Sequence, residues 1–201
     1  MPALRYVALG DSYTIGTSVA PAARWPERLV AALEHDETRL ELVANLGVNG
    51  YTSADLIHDE LPQLPEFAPD FASLLIGVND VVQGVPLATY EANVEAILDG
   101  LLARLPSDRL VTVSIPDYTV TPSGADFGDP GLQHDGIVAC NAAMARLTAE
   151  RGMAFVDIFG ISLEAAADRS LVADDGLHPS GIQYGRWLER IEPVVRMLLG
   201  V

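Results

Sequence analysis

Four short polar segments contain the residues whose types and spacing could do chemistry. They are residues 10–14, 45–53, 77–80 and 174–180, with Ser12 in the first and Asp175 and His178 in the last. A serine hydroxyl becomes a nucleophile when a base lies within hydrogen-bond reach, a third group orients that base, and donors stabilise the developing oxyanion. Nucleophilic catalysis by serine is therefore the chemistry to test against the rest of the sequence.

The four histidines differ in their surroundings. His35 in an acidic connection, His58 in an acidic helix and His134 in an irregular loop are predicted to be solvated side chains rather than catalysts. His178 follows Asp175 by three residues, which lets the carboxylate hold one imidazole nitrogen and leaves the other for a substrate. On spacing alone, a structural ion pair before a helix fits better. The other three segments together favour a catalytic base.

The start of the last helix indicates that His178 is held rigidly. Residues 180–183 fit a capping box, in which Ser180 and Gln183 satisfy backbone donors reciprocally, and Pro179 stiffens the entry. We therefore expect the backbone at His178 to be rigid, which holds the imidazole in a fixed position, as a catalytic base requires.

Five apolar runs at wide spacing indicate the elements that must position these groups. The runs cover residues 6–9, 40–44, 71–76, 110–114 and 154–158, and most are continuous rather than alternating. Continuous runs are typical of strands buried on both faces of a parallel sheet, and helical patterns lie between them. The sequence therefore predicts a three-layer α/β/α sandwich with a flavodoxin-like, five-stranded parallel sheet. In such sheets, chemistry collects at the carboxyl ends of the strands.

The helical patterns predict four helices and one irregular segment. A helix capped by Thr89 has apolar residues from Tyr90 to Leu105 on one face, and another begins near Pro26. A third spans about residues 135–151, and the last is expected to kink at Pro193. Residues 117–135 are predicted to be either a plain surface loop or a substrate-facing lid, and the two interpretations stay open.

Composition excludes several function classes. The 201 residues predict a single domain over residues 1–201, and all 12 basic residues are Arg, so lysine-dependent Schiff-base and phosphate chemistry is excluded. The net charge of −16 disfavours nucleic acid and anionic membranes as partners. Cys140 stands alone and is expected to be a small buried hydrophobe. No membrane span or signal peptide is visible, so a cytoplasmic location without a stable membrane anchor is expected.

Other strand-end chemistries lack their residues. No serine lies in a Gly-x-Ser-x-Gly elbow, and His-Glu-x-x-His is absent. Residues 11–14 faintly resemble the nucleophile loop of haloacid-dehalogenase-type phosphatases. Their second Asp would fall at Tyr13, however, and those enzymes rely on a Lys that this chain lacks.

Taken together and in order, the four segments resemble the SGNH hydrolase family, also called GDSL esterases and lipases. The resemblance runs from about Tyr6 to the final helix and is carried by Gly-Asp-Ser-Tyr at 10–13, the stretch around Gly50, Gly-Val-Asn-Asp at 77–80 and Asp-Gly-Leu-His at 175–178. It implies a triad of Ser12, Asp175 and His178. The implied oxyanion donors are the backbone N–H groups of Ser12 and Gly50 and the side chain of Asn79.

The resemblance also sets expectations about the reaction. It implies a small-molecule ester as substrate, with a short acyl chain, an acetylated sugar or a lysophospholipid-like molecule as candidates, and neither metal nor organic cofactor. The family's usual Leu after the nucleophile is Tyr13 here, which leaves proton transfer intact and alters the acyl site. The alternative is a catalytically silent, SGNH-like binding module.

Overall fold

The computed structural model describes residues 3–201, and its centre is one parallel sheet of five strands. The strands are β1 (Leu4–Gly10), β2 (Leu40–Asn45), β3 (Phe71–Leu75), β4 (Leu110–Val113) and β5 (Ala154–Val156). They are arranged in the order β2-β1-β3-β4-β5, and every neighbouring pair is parallel. This is the flavodoxin-like order, and the predicted fold class is confirmed.

Helices connect the strands and cover the sheet. They are α1 (Ser12–Ile15), α2 (Trp25–Ala32), α3 (Ser53–Asp55), α4 (Leu64–Phe67), α5 (Val78–Val82), α6 (Leu87–Leu102), α7 (Pro130–Glu150), α8 (Phe159–Leu163) and α9 (Gly181–Leu199). A π-helical turn spans Leu56–Glu60, and short 3-10 turns occupy Pro21–Ala23, Leu61–Gln63, Ser107–Arg109, Gly124–Phe127, Glu164–Ala166 and Arg169–Leu171. Helix α2 packs against α9 and α6 against α7, so two helix layers enclose the strands.

The core explains why the strand sequences are continuous apolar runs. All five residues of β3 are buried, as are the last five of β1, because both strands lie inside the sheet with helices on either side. Helix α9 buries Tyr184 and Trp187 completely. The ring of Trp187 lies 6.3 Å from that of Tyr13, and the Tyr184 hydroxyl donates to the Tyr13 carbonyl at 3.2 Å. The last helix thus supports the turn that follows β1.

Several predicted boundaries are wrong. Helix α6 begins at Leu87 after Pro86, so Thr89 lies inside the first turn and is not the N-cap. Strands β3, β4 and β5 end one or two residues earlier than expected, because the chain there begins loop contacts such as the 2.9 Å bond from the Ile158 N–H to Ser114 Oγ. The helix near Pro26 begins at Trp25, as predicted.

Helix α7 begins five residues before the predicted start. Asp129 caps it by accepting a hydrogen bond from the Leu132 N–H at 3.0 Å, and Pro130 occupies a first-turn position that needs no donor. His134 therefore lies on a helix and not in the irregular segment. Within α7, Ile137 and Met144 are buried as expected. The kink at Pro193 of α9 stays a prediction.

Candidate active site

Ser12 lies just after the carboxyl end of β1, on a turn that requires glycine at position 10. Gly10 has a φ of +148°, and a Cβ there would lie 2.1 Å from the Leu75 carbonyl oxygen. Asp11 then caps α1, because its Oδ1 accepts from the Tyr13 N–H at 2.9 Å. The Ser12 backbone N–H is thus the first of a short helix, and its side chain lines a cavity of about 320 Å³.

His178 is held by Asp175 in one turn, as the spacing predicted. Asp175 Oδ2 lies 2.6 Å from His178 Nδ1, and Asp175 Oδ1 accepts from the N–H groups of Leu177 and His178 at 2.9 and 3.0 Å. A carboxylate only accepts, so Nδ1 carries the proton and Nε2 is left for another partner. His178 lines the same cavity as Ser12.

The turn that holds His178 also has a second support that the sequence did not indicate. Ser18, in a left-handed conformation with φ +66°, donates its hydroxyl to Asp175 Oδ2 at 2.5 Å. Partial burial acts to raise the pKa of Asp175, but the hydrogen bonds from Ser18, Leu177 and His178 outweigh it and hold that pKa below its usual range. No local pattern points to Ser18, because its partner is 157 residues away.

The expected capping box at the start of α9 is only half present. Ser180 Oγ accepts from the N–H groups of Ile182 and Gln183 at 3.2 and 3.3 Å. The Gln183 amide does not return to Ser180, because it donates to the Leu171 carbonyl at 3.0 Å and the Ser180 N–H donates to that same carbonyl. His178 is still followed by a well-anchored helix start, although through a different set of bonds.

Ser12 and His178 line the same cavity. Within residues 3–201, no hydrogen bond joins Ser12 Oγ to the imidazole, whose ring packs edge-on against Tyr13 with 5.8 Å between the centroids. Burial raises the pKa of Tyr13 well above its usual range, so its phenol stays neutral. Catalytic hydrogen bonds are often long in ligand-free sites and tighten in the complex.

The two other expected oxyanion donors line the cavity beside Ser12. Gly50 lines the cavity, has a φ of +88°, and has nothing within 4 Å of the place where a Cβ would be. Asn79 Nδ2 donates to the Tyr51 carbonyl at 2.9 Å, which fixes the amide and leaves its second N–H free of that bond.

Gly47 is the glycine that permits close packing in this region. A Cβ at Gly47 would lie 2.8 Å from the Ile15 backbone nitrogen and 2.9 Å from the Asp11 carbonyl oxygen. The loop that carries Gly50 therefore rests directly on the nucleophile turn. The close-packing interpretation holds for Gly47, whereas Gly50 faces open space.

Asp80 fastens the Gly50 loop to the Asn79 turn. It is 1% exposed, and its two carboxyl oxygens accept from the Ser53 N–H at 2.8 Å and the Ser53 hydroxyl at 2.5 Å. Burial raises the pKa of Asp80, and these hydrogen bonds oppose that rise. The sequence indicated Asp80 only as the last residue of the Gly-Val-Asn-Asp motif at 77–80 and did not predict its bonds to Ser53.

A local signal for the start of α3 was present but not used. Thr52 and Asp55 form a full capping box there, and the spacing Thr-x-x-Asp predicts such a box.

The irregular segment faces the cavity. Tyr118 and Phe127 form part of the cavity wall, and their rings contact each other edge-on at 5.8 Å. Two bonds tie this segment to α7: the Tyr118 hydroxyl donates to Gln133 Oε1 at 2.8 Å, and buried Asp117 lies 2.6 Å from His134 Nδ1. The segment thus contributes to the cavity wall, and the lid interpretation stays a prediction.

The other histidines lie outside the cavity lining. His35 is exposed, and His58 has 87% of its side chain exposed and pairs with Asp59. His134 is partly shielded by its pair with Asp117, so it is not the freely solvated side chain that was expected.

The part of the chain that the structure describes has neither a cluster of metal-binding side chains nor a membrane-spanning helix. No group of three His, Cys, Asp or Glu side chains within residues 3–201 is arranged to hold a metal ion. In the same part of the chain, no helix has both the length and the apolar character needed to cross a membrane.

This fold and this cavity are those of a serine ester hydrolase. Within that class, the chain belongs to the GDSL-like lipase/acylhydrolase family, whose model matches residues 8–186. The resemblance inferred from the four polar segments is thereby confirmed. A catalytic triad and an oxyanion hole are characteristic of this family. No curated protein matches the sequence.

Solved structures with the same fold include three proteins of low sequence identity. TesA is 19% identical, with a TM-score of 0.75 over 96% of this chain and 99% of its own. A psychrotrophic esterase from Pseudoalteromonas sp., inhibited by monoethylphosphonate, is 16% identical with a TM-score of 0.73, over 98% and 99%. An acetylxylan esterase from Geobacillus stearothermophilus is 19% identical with a TM-score of 0.73, over 98% and 94%. These likenesses establish the shared fold.

Proposed function

We propose that the protein, acting as one domain over residues 1–201, hydrolyses a carboxylic ester with a short, uncharged acyl chain through an acyl-enzyme on Ser12. The observation that supports this proposal is the shared cavity. Ser12, Gly50, Asn79 and His178 all line it, and His178 is oriented by Asp175. The nucleophile, base and oxyanion donors of the proposed mechanism thus surround one space.

In the first half-reaction, His178 Nε2 removes the Ser12 proton while Ser12 Oγ attacks the ester carbonyl. The C–O bond to the alcohol breaks, His178 gives its proton to the leaving alkoxide, and the acyl group stays on Ser12. In the second half-reaction, His178 removes a proton from water, which attacks the acyl carbon. The proton then returns to Ser12 Oγ, and the carboxylic acid leaves. Asp175 stabilises the imidazolium in both halves and stays ionised.

The negative charge that forms on the carbonyl oxygen would meet three donors: the N–H groups of Ser12 and Gly50 and the Asn79 amide. Two of them are fixed before substrate arrives, Ser12 by the α1 turn and Asn79 by its bond to Tyr51. Donors that are held in place need no reorganisation in the transition state, and losing one typically costs about 10²–10³-fold in kcat.

The cavity lining supports an uncharged substrate. Its apolar wall consists of Val78, Val82, Tyr118, Phe127 and Leu177, and no Asp, Glu or Arg lies among the lining residues. The net charge of −16 further disfavours anionic substrates. A volume of about 320 Å³ is near the lower end of small-molecule sites, which favours a short acyl chain over a long lipid chain.

A serine-reactive phosphonate tests the nucleophile, and an ester series tests the substrate. The probe is expected to label Ser12 in the intact protein and to leave the Ser12→Ala variant unlabelled. Turnover of p-nitrophenyl acetate, butyrate, octanoate and laurate, with acetylated sugars alongside, should be highest for the short acyl esters. If the intact protein is neither labelled nor active on any of these, the proposal is wrong. Binding that survives Ser12→Ala without turnover in either form identifies a binding module.

A further inference from the structure

Two buried carboxyl groups lie beneath the nucleophile turn, and the proposed mechanism uses neither. Asp11 and Glu60 are both 0% exposed. Glu60 Oε2 accepts from the Gly10 N–H at 2.9 Å, and Asp11 Oδ1 accepts from the Tyr13 N–H at 2.9 Å. Together they hold the backbone on both sides of Ser12.

Each of these carboxyl groups has one oxygen without a hydrogen-bond partner in the described part of the chain. These are Asp11 Oδ2 and Glu60 Oε1. Keeping an isolated ionised carboxylate in such a place is costly, so a buried carboxyl group binds a proton instead. Burial is the largest cause that raises the pKa of Asp11 to about 8 and that of Glu60 to about 9, against the opposing hydrogen bonds from Tyr13 and Gly10.

The surroundings of the pair are acidic or neutral. The charge of Asp11 raises the pKa of Glu60, as does that of Asp59, while Asp80 on α5 raises the pKa of Asp11. The other titratable groups that interact with Asp11 are Tyr13, Tyr90 and Tyr184, all buried phenols whose pKa values burial raises above their usual range. These groups thus give the carboxyl groups no compensating positive charge, and the burial of the pair favours the neutral form of each.

The backbone that delivers Glu60 is unusual. Glu60 is the last residue of the π-helical turn Leu56–Glu60, which follows α3 directly. Such turns are rare and occur frequently at functional sites. Because a π-helical turn is wider than an α-helical one, it changes which residue faces the sheet, and here that residue is a carboxylic acid placed against Gly10.

We propose that Glu60 is a positioning residue for Ser12: its neutral carboxyl group, acting with Asp11, holds the Gly10–Tyr13 backbone in the geometry that aims Ser12 into the cavity. This inference rests on the proposed role of Ser12 as nucleophile. One negative charge on the pair is tolerated, because the Gly10 and Tyr13 N–H groups donate to it. Two buried charges repel each other, and the turn then loses its geometry.

The test compares pH profiles of kcat/KM for the intact protein with those of Glu60→Gln, Glu60→Met and Asp59→Asn. The Gln side chain keeps the acceptor for the Gly10 N–H and cannot ionise, whereas Met removes the acceptor. Asp59→Asn removes a charge from the adjacent residue, whose exposed side chain bonds to Tyr51 and His58, and serves as the matched control. Because the charge of Asp59 raises the pKa of Glu60, the alkaline loss of this variant should begin at a lower pH than that of the intact protein. Phosphonate labelling of Ser12 at pH 7 is measured in parallel.

The intact protein and Asp59→Asn should each lose at least about tenfold in kcat/KM between pH 7 and about pH 10, with Glu60→Gln losing less than about threefold. At every pH, the kcat/KM of Glu60→Met should be at least about tenfold below the value that the intact protein has at pH 7. At pH 7, Glu60→Gln should recover most of that loss. Equal alkaline losses in the intact protein and Glu60→Gln would overturn the inference, even if Glu60→Met fails to fold. Absence of Ser12 labelling in the intact protein at pH 7 contradicts the proposed function instead.

A stability measurement tests the neutral carboxyl group independently of activity. Because the folded pKa of Glu60 is raised, its contribution to stability is present below the ordinary Glu pKa near 4.3 and is lost as the pH rises through about 9. The free energy of unfolding of Glu60→Gln should therefore rise, relative to that of the intact protein, between about pH 5 and pH 9. A difference that does not change with pH would show that Glu60 is ionised in the folded protein and would overturn the inference.

Discussion

The hydroxyl of Ser18 offers a sharp test of how the Asp175–His178 turn is held. Glycine at position 18 removes the cost of roughly 1–2 kcal/mol that a serine has in a left-handed backbone conformation. It also increases the entropy of the unfolded chain, which destabilises the fold by about 0.4–1 kcal/mol. It also removes a hydrogen bond to a charged group, worth about 1.5 kcal/mol at the low end because Ser18 is exposed. Ser18→Gly should therefore destabilise the fold by no more than about 1.5 kcal/mol.

Catalysis should suffer more than stability from this substitution. Asp175 Oδ2 would keep only the His178 bond, and the link between the loop after Ser12 and the turn that carries the imidazole would be lost. We expect kcat/KM to fall about three- to thirtyfold, which corresponds to about 0.7–2 kcal/mol of transition-state stabilisation.

The assay combines urea unfolding with kcat/KM on p-nitrophenyl acetate. Ala68→Gly is the matched control, because Ala68 also has a positive φ, of 40°, and ends α4 away from the cavity. It should gain between about 0 and 1.6 kcal/mol of stability and keep its activity. If Ser18→Gly retains kcat/KM within about twofold of the intact protein, the hydroxyl does not help to position the turn.

Three other substitutions or treatments have definite expected outcomes. Asn79→Ala should lower kcat about 10²–10³-fold if its amide donates to the oxyanion, and a loss below about threefold in steady-state assays would remove it from that role. Since hydrogen bonds lower the pKa of Asp175 in the folded protein, the stability difference between the intact protein and Asp175→Ala should be present at pH 6 and shrink as the pH falls below about 4. Urea unfolding at about pH 6 and below about pH 4 measures this difference, and a difference that stays constant would contradict the prediction. Burial raises the pKa of Cys140 to about 12, so a thiol reagent at pH 8 should modify it only after unfolding, and fast labelling of the native protein would contradict its burial.

The sheet and the triad candidates could be predicted because their signals are local. Each strand is a continuous apolar run, and Asp175 and His178 lie three residues apart on one turn. Because the strands are parallel, their carboxyl ends lie at one edge of the sheet, and Ser12 and Asn79 are therefore placed at the same edge. Helix starts were less accurate: Thr89 looked like a cap, but Pro86 has the extended backbone from which a helix can begin at Leu87.

The supporting contacts were not predictable because their partners are distant in the sequence. Ser18 meets Asp175 across 157 residues, and Glu60 meets Gly10 across 50 residues through a π-helical turn that no simple period describes. Gln183 has the spacing of a capping box, but the Leu171 carbonyl is a competing acceptor that only the folded chain provides. Local pattern therefore indicated the candidate reacting groups, whereas tertiary structure determines what holds them.

The placement of the groups along the chain has a practical consequence for protein engineering. Ser12, Gly50 and Asn79 all precede the exposed residue Asp168, whereas Asp175 and His178 follow it. A chain divided near Asp168 would give two fragments, neither of which holds a full set of the proposed groups. Hydrolysis would then report the reassembly of the two fragments, which makes this fold a candidate scaffold for a complementation sensor.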